Sequence, residues 1–421
     1  MKAPKNRRVF VIGYEVITPL GKTFKETWNR AVKSEAGFRK LTKFNVQSDC
    51  NVVGEIPDWN PAEFNFVDEK EIYNWNAAFI ILTMAVCKAA LENSGLEINK
   101  ITSPRTACLI SSCINGHDAY RIAMDSLLNK GPLKVSPYLL PNMCGNLPGG
   151  KSSMLLGFTG PIFSPQGACA SGNHSIGLGA RMIRDGDCDF AIVGGADTPI
   201  LPEIIHGFDN MNATLKVRPK DRAYDDPAQA SRPFSGDRKG FILSEGAGAL
   251  VLAAEEMLTT YGLKPKAEVL GIGWTSDAYH FTTPNKDSIV RCINEAIDDA
   301  ALKPEDIQYV NAHGTSTQTG DRSEVECLQR VFGKHLAHMP VSSNKSQLGH
   351  TLAGCAAIEA ALTIEGMQKG IILPTINHIP DPKIENIDVV PNTPRKQNFE
   401  LALSNAFGFG GTNCCVIFRG V

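Results

Sequence analysis

Cys169 stands in Gly167-Ala168-Cys169-Ala170-Ser171-Gly172, after the apolar run Pro161-Ile162-Phe163 and before a helical pattern through Ile176, Leu178 and Met182 to Arg184. This order predicts a short buried strand, a small-residue turn, and a helix with the thiol on its first turn. Unpaired N–H groups and the helix dipole at that position favour a thiolate. The small neighbours leave room for a substrate to reach the sulfur. A buried structural cysteine is the other reading of such a thiol. Two histidines add proton chemistry near neutral pH. His313 lies in Asn311-Ala312-His313-Gly314-Thr315-Ser316-Thr317, where Thr315 and Thr317 offer hydroxyls to an amide-bearing ligand; a capping loop is the alternative. His350 closes Asn344-Lys345-Ser346-Gln347-Leu348-Gly349-His350. The helical stretch after it, Leu352 to Leu362, is apolar nearly all round, so its Glu359 needs a buried partner, and Lys345 is the candidate. Phe407-Gly408-Phe409-Gly410-Gly411-Thr412-Asn413 holds more glycine than a hairpin turn needs, which close backbone approach to a ligand explains. His313 and His350 lack metal-ligand spacing, so no metal site is expected.

The elements that position these residues repeat. Val9–Ile12 reads as a first strand, with helical segments at about 24–34 and 68–94. Thr106–Ile110 is a strand running into the loop Ser111–His117, and Phe190–Val193 is another. Gly240–Leu243 and Ala249–Leu252 flank Glu245-Gly246-Ala247-Gly248, read as a hairpin by its turn chemistry. From about Lys266 the succession begins again: Ala267–Gly273, Ile307–Val310, Pro340–Ser342, then Ala402–Ser404 and Cys415–Phe418 around the glycine loop. Strands alternating with helices imply mostly parallel sheets covered by helices, with ligands beyond the carboxyl ends of the strands. In that geometry Cys169, His313 and His350 converge from two related halves.

The chain has 421 residues, 43% hydrophobic and 20% charged, with a formal net charge of −2, enough for one large α/β core or two domains. The near-neutral balance gives no global case for nucleic acid or an anionic membrane. The longest apolar run, Ala77–Cys87, is broken by Lys88; it reads as a buried helix closed by Ser94-Gly95, too short to span a bilayer. Met1–Lys5 leads straight into the first strand with no apolar signal segment. Twelve scattered cysteines without a C-x-x-C pair fit reduced thiols of the cytoplasm.

Together, Gly-Ala-Cys-Ala-Ser-Gly, Asn-Ala-His-Gly-Thr-Ser-Thr, Asn-Lys-Ser-Gln-Leu-Gly-His and Asn-Ala-Phe-Gly-Phe-Gly-Gly-Thr-Asn resemble the motifs of β-ketoacyl-[acyl carrier protein] synthases of the type II branch, in the same order. The resemblance covers essentially the whole chain. It implies a thiolase-like α/β fold of two halves, 1–258 with the cysteine and 259–421 with the histidines, in a five-layered αβαβα arrangement, acting as a cytoplasmic homodimer. It implies a Cys169–His313–His350 triad, with Lys345 and Glu359 as a structural ion pair beside it. The implied reaction loads an acyl chain onto Cys169 and condenses it with malonyl-carrier protein, releasing CO₂, in fatty acid biosynthesis. His313 and His350 would serve the malonyl thioester oxygen. The N–H groups of Cys169 and Phe409 would form the oxyanion hole, where one donor is worth roughly 3–4 kcal/mol. Thr315 and Thr317 would hold the phosphopantetheine arm, Ile114 would floor the acyl pocket, and Phe407 would line it. Acyl carrier protein is the implied partner, and no dissociable cofactor or metal is implied.

The chain departs from the family's pattern in three places. Val67-Asp68-Glu69-Lys70-Glu71 replaces a basic run where the carrier's acidic helix docks, while Lys216, Arg218, Lys220 and Arg222 form a basic segment elsewhere. Leu147-Pro148-Gly149-Gly150 is expected to break a regular helix. A specialised ketosynthase of a polyketide or secondary lipid pathway is therefore the alternative function. A CoA-dependent thiolase would place a second catalytic cysteine near the glycine loop, where Cys414 and Cys415 instead fall in predicted strand. A non-catalytic chain-length partner would lack the nucleophile.

Overall fold

The structure is a computed structural model that describes residues 7–421. Its main strands are β1 (Val9–Ile17), β2 (Thr106–Ser111), β3 (Ile162–Phe163), β4 (Phe190–Asp197), β5 (Gly246–Ala254), β6 (Ala267–Ser276), β7 (Tyr309–Asn311), β8 (Val341–Ser342), β9 (Leu401–Gly408) and β10 (Thr412–Gly420). They line up as β3-β2-β4-β5-β1 followed by β6-β10-β9-β7-β8. Each strand of the first set thus has its counterpart five strands later. In both sets the outer two pairings are parallel and the inner two antiparallel. Among the described residues the two sets pair where Phe10 and Val11 meet Glu268 and Ala267. The repeat of element order is therefore a repeat of topology.

Helices α1 (Ala78–Ser94), α2 (Leu147–Leu156), α3 (Ser171–Arg184), α4 (Lys286–Asp299), α5 (Gln318–Phe332) and α6 (Cys355–Lys369) supply the covering layers. Helix α1 packs on β1 and β5, α4 on β6 and β10, while α3 and α6 contact strands of both sets and each other. This gives the αβαβα sandwich, with α3 and α6 as the shared middle layer. The middle core joins Ile176, Ala180 and Ile183 of α3 to Ala357, Ala361 and Ile364 of α6. Helix α6 is buried along almost its whole length because it is enclosed on all sides. Gly172 lets α3 approach α6: a Cβ there would lie 2.9 Å from the Ala353 carbonyl oxygen.

Five expectations need correction. The strands are not mostly parallel: five of the nine neighbouring pairings are antiparallel, because the chain runs in reversed directions at β4–β5, β5–β1, β1–β6, β6–β10 and β10–β9. Ile162–Phe163 is not a buried strand: it is the sheet edge, paired only with β2, and Phe163 is 48% exposed. Residues 240–252 form no hairpin. Strand β5 pairs with β4 and β1 along its length, while Phe241 bridges Thr214 and Leu243 bridges His350. A glycine-rich turn signal cannot distinguish a local partner from distant ones. The helical stretch 68–94 splits into Glu69–Asn74 and α1, because two distant side chains cap α1 afresh. Asn142 Oδ1 accepts from the Ala77 N–H, and Asp118 Oδ2 from the Ala78 N–H. Leu147-Pro148-Gly149-Gly150 starts α2 instead of breaking it: Pro148 sits in the first turn, where a missing N–H costs nothing.

Candidate active site

Cys169 lies beyond β3, immediately ahead of α3. The turn before it is closed by its own small residues: the Gly167 N–H donates to Ser171 Oγ at 2.9 Å, and Ser171 Oγ donates to the Ala168 carbonyl at 2.6 Å. Ala168 adopts φ +48°, a left-handed conformation that costs a non-glycine residue roughly 1–2 kcal/mol. The β9–β10 turn holds this loop in place. Thr412 Oγ1 donates to the Gly167 carbonyl at 2.7 Å, and a Cβ on Gly408 would lie 2.3 Å from that same oxygen. The glycines of the expected ligand loop thus serve close approach to the nucleophile's backbone.

The equivalent loop of the second half follows β8 and carries His350, whose Nε2 sits 3.1 Å from Cys169 Sγ. Its backbone is fastened to the first half, the His350 N–H donating to the Ile242 carbonyl at 2.7 Å. His313, past β7, presents its ring 5.6 Å from the His350 ring and 5.7 Å from Phe407. Burial above all, with the Lys345 charge nearby, holds both imidazoles well below the usual histidine range, so both are neutral at pH 7. Lys345 Nζ meets Glu359 Oε1 at 2.6 Å with both side chains buried. Burial works against the ammonium, but Glu359 beside it keeps Lys345 charged.

The expected resting thiolate is overturned. Burial pushes the Cys169 thiol up to about 11, against the opposing pull of Lys345 and of the Phe409 N–H aimed at the sulfur. The helix N-terminus is present, but desolvation of an enclosed thiol outweighs it. The resting group is the thiol, with hydrogen-bond donors already arranged for the charge that develops on attack.

A cavity of about 640 Å³ opens onto Cys169, His313 and His350 and is lined also by Ile114, Thr315, Thr317, Phe407 and Phe409. Every sequence-predicted substrate contact thus falls on one wall or another of a single cavity. Ile114 packs in the same apolar cluster as Cys169, and Thr315 Oγ1 lies 3.0 Å from Thr317 Oγ1. Cys414 and Cys415 are fully buried within β10.

Three buried residues escaped the sequence reading. Asp197, at the end of β4, accepts from Ser112 Oγ at 2.7 Å and from the Ile114 and Ala353 N–H groups at 2.9 Å each. It ties the Ser112–Ile114 loop to the chain just after His350. Glu324, on α5, accepts from the His313 N–H at 2.9 Å and the Gly314 N–H at 2.7 Å, fixing the histidine turn. Cys355 touches His350 Nδ1 at 3.0 Å. Asp197, ending an apolar strand, was legible as a misplaced charge; Glu324, in the charged run Asp321–Glu326, was not.

The charged segments resolve differently. Asp68 caps the short helix Glu69–Asn74, and Glu71 pairs with the buried Lys151 at 2.5 Å, so the acidic run is structural. Lys216 pairs with Asp209, Arg218 with Asp49, and Arg222 with Asp237. A hollow of about 300 Å³ lined by Lys216, Arg218, Lys220 and Lys239 shares Asn212 and Lys239 with the main cavity.

Residues 6–257 match the family model "Beta-ketoacyl synthase, N-terminal domain", and residues 266–378 match "Beta-ketoacyl synthase, C-terminal domain". The chain is 35% identical over 419 residues to the 3-oxoacyl-[acyl-carrier-protein] synthase 2 of Staphylococcus aureus (strain COL), covering 99% of each chain. A solved β-ketoacyl synthase from Burkholderia phymatum STM815 superposes with a TM-score of 0.89 at 29% identity, over 99% of this chain and all of that one. A ketosynthase solved in complex with a type II polyketide acyl-carrier protein superposes at 0.90 with 25% identity, over the same shares. Both halves, the full-length relatives and the thiol–imidazole cluster agree: this chain belongs to the β-ketoacyl synthases, the thiolase-fold family of condensing acyltransferases.

Proposed function

We propose that Cys169, His313 and His350 carry out a decarboxylative Claisen condensation in fatty acid biosynthesis, with both substrates delivered on the phosphopantetheine arm of acyl carrier protein. One observation carries this reading: a thiol and two neutral imidazoles, drawn from both halves, meet in a single cavity. The Cys169 sulfur attacks the acyl thioester, the bond to the carrier's sulfur breaks, and the thiol proton leaves on the freed phosphopantetheine thiol. The Cys169 and Phe409 N–H groups hold the oxygen of the tetrahedral intermediate. Malonyl-carrier protein then loses CO₂, and the bonding electrons pass into an enolate whose oxygen accepts from His313 and His350. The enolate carbon attacks the Cys169 acyl carbonyl, the cysteine sulfur leaves, and it regains a proton from water. Neutral imidazoles suit this role because each still donates through one ring N–H without placing an unpaired charge in the buried cavity. Thr315 and Thr317 support the arm, Ile114 and Phe407 the acyl chain, and Lys345 and Glu359 the histidine loop. No dissociable cofactor enters any step.

The hollow at Lys216, Arg218, Lys220 and Lys239 supports carrier docking beside the cavity mouth, in place of the acidic run at 67–71. A homodimer is supported by the free edge of β3 and by the exposed apolar side chains Leu133, Leu140, Met154 and Phe163. Among the described residues no helix is long and apolar enough to cross a membrane. All twelve cysteines are free thiols, which suits the cytoplasm.

The test is incubation with saturated acyl-carrier protein and malonyl-carrier protein. Equal yields of 3-oxoacyl-carrier protein and CO₂ are expected. Condensation of acetyl-CoA without CO₂ release would overturn the reading. The likeness to a polyketide ketosynthase favours a second reading, a specialised synthase. A polyketone instead of a saturated chain trapped on the His313→Ala variant would select it.

A further inference from the structure

Cys355 opens α6 and is buried, with its sulfur folded back over the turn that leaves His350. Three groups surround that sulfur. The Thr351 N–H donates to it at 3.1 Å, Thr351 Oγ1 donates at 3.4 Å, and His350 Nδ1 lies at 3.0 Å. A thiol sulfur has two lone pairs and one proton. The two Thr351 donors occupy the lone pairs, so a third donor from His350 would find no acceptor and would leave the S–H without a partner. The remaining arrangement satisfies every group: the Cys355 S–H donates to Nδ1, and Nδ1 accepts.

We propose that Cys355 is a positioning residue that holds His350 as its Nε2–H tautomer, so that the ring presents a donor to Cys169 and to whatever oxygen replaces the thiol in the cavity. Two further observations agree. Burial drives the Cys355 thiol up to about 12, so its proton is available to donate, and His350 is neutral, so a single tautomer is meaningful. The His350 Nε2 faces Cys169 Sγ on the opposite side of the ring, in line for that role. The tautomer of a histidine is set by the partner of its other nitrogen. Often that partner is a carbonyl or carboxylate, which would select the opposite proton position. A thiol whose acceptor sites are already filled selects this one. The functional half of the inference rests on the reading of His350 as a donor in decarboxylation.

The experiment separates the two. Long-range ¹H–¹⁵N spectra of histidine-labelled protein report the tautomer without any turnover. The wild type is expected to show His350 protonated at Nε2, and Cys355→Ala to show a mixture or the Nδ1–H form. Cys355→Ser, which keeps a donor, is expected to restore the wild-type signature. In kinetics, Cys355→Ala should slow malonyl-carrier decarboxylation about tenfold or more while leaving the rate of Cys169 acylation within about twofold. An Nδ1–H signature in the wild type would overturn the proposal, as would an unchanged signature and rate in Cys355→Ala. A tautomer shift with unchanged decarboxylation would overturn the role of His350 as donor while leaving the tautomer assignment intact.

Discussion

The two halves share one strand order and use it differently. In the first, the chain leaves β4 at Asp197 and returns to the sheet only at Gly246, and the residues between build cavity wall, basic hollow and the Phe241–Ser244 stretch that fastens His350. In the second, the corresponding strands β9 and β10 are joined by Phe409, Gly410 and Gly411 alone, and that tight turn closes over the Cys169 loop. The loops after β3 and β8 are equivalent, yet one supplies a thiol and the other an imidazole, meeting at 3.1 Å. The loops after β2 and β7 are equivalent too, and supply Ile114 and His313 to the lining of the same cavity. A repeated fold thus brings matching strand ends together, and divergence of the loops gives one half the thiol and the other the two imidazoles.

That division makes the sharpest prediction. Cys169→Ala should abolish acylation, a loss of at least about 10³-fold, with peptide mapping finding no adduct elsewhere. An acyl group on Cys113, Cys414 or Cys415 of the wild type, with Cys169 free, would end the assignment. Removing the donors should split the halves instead: His313→Ala and His350→Ala should still acylate Cys169 yet release CO₂ about 10²–10³-fold more slowly. Because burial keeps both rings neutral, decarboxylation in the wild type should stay level as pH falls from 8 to 6.5 and decline only once the rings take up protons. A decline centred near 6.5 would mean the rings are solvated.

Glu359→Gln leaves the Lys345 ammonium buried and unpaired, which costs about 3–5 kcal/mol and should lower Tm measurably in a thermal scan. An unchanged Tm would show the pair is dispensable. Ile114→Phe should act on one half only. Overpacking costs about 1–3 kcal/mol, and the loss should fall on long acyl chains and spare short ones when acylation is followed across a ladder of chain lengths. Equal losses would make Ile114 a support of the fold. Smallest of all, Lys220→Glu should raise KM for the carrier-bound substrate a few-fold and flatten its salt dependence. Lys220 is chosen because Arg222 is committed to Asp237 and to the Asn377 carbonyl, so reversing its charge would disturb the fold.

Much of this was legible in the chain. Cys169 at a strand-to-helix junction, the histidines after their strands and the Lys345–Glu359 pair all follow from short-range pattern and the cost of a lone buried charge. Readings that depended on distant neighbours failed: the supposed hairpin at 240–252, the buried Ile162–Phe163, the continuous helix at 68–94. A strand's partner, an edge or a cap supplied by Asn142 and Asp118 leaves no local trace. Asp197 was visible only as an acid ending an apolar strand, and Glu324, among Asp321, Arg322 and Glu326, had no local mark at all; the backbone donors that explain both are distant in sequence or set by the fold.

The sequence by itself determined which groups can react and where along the chain each must stand, because residue type, turn chemistry and helix ends act over a few positions. The tertiary structure alone decided their state. Cys169 rests as a thiol because the cavity that encloses it removes water, and His350 stays neutral for the same reason. The proton on His350 answers to Cys355, five residues away in sequence and brought under the ring only by the turn into α6. Protonation follows solvation and contact, and both belong to the packed molecule.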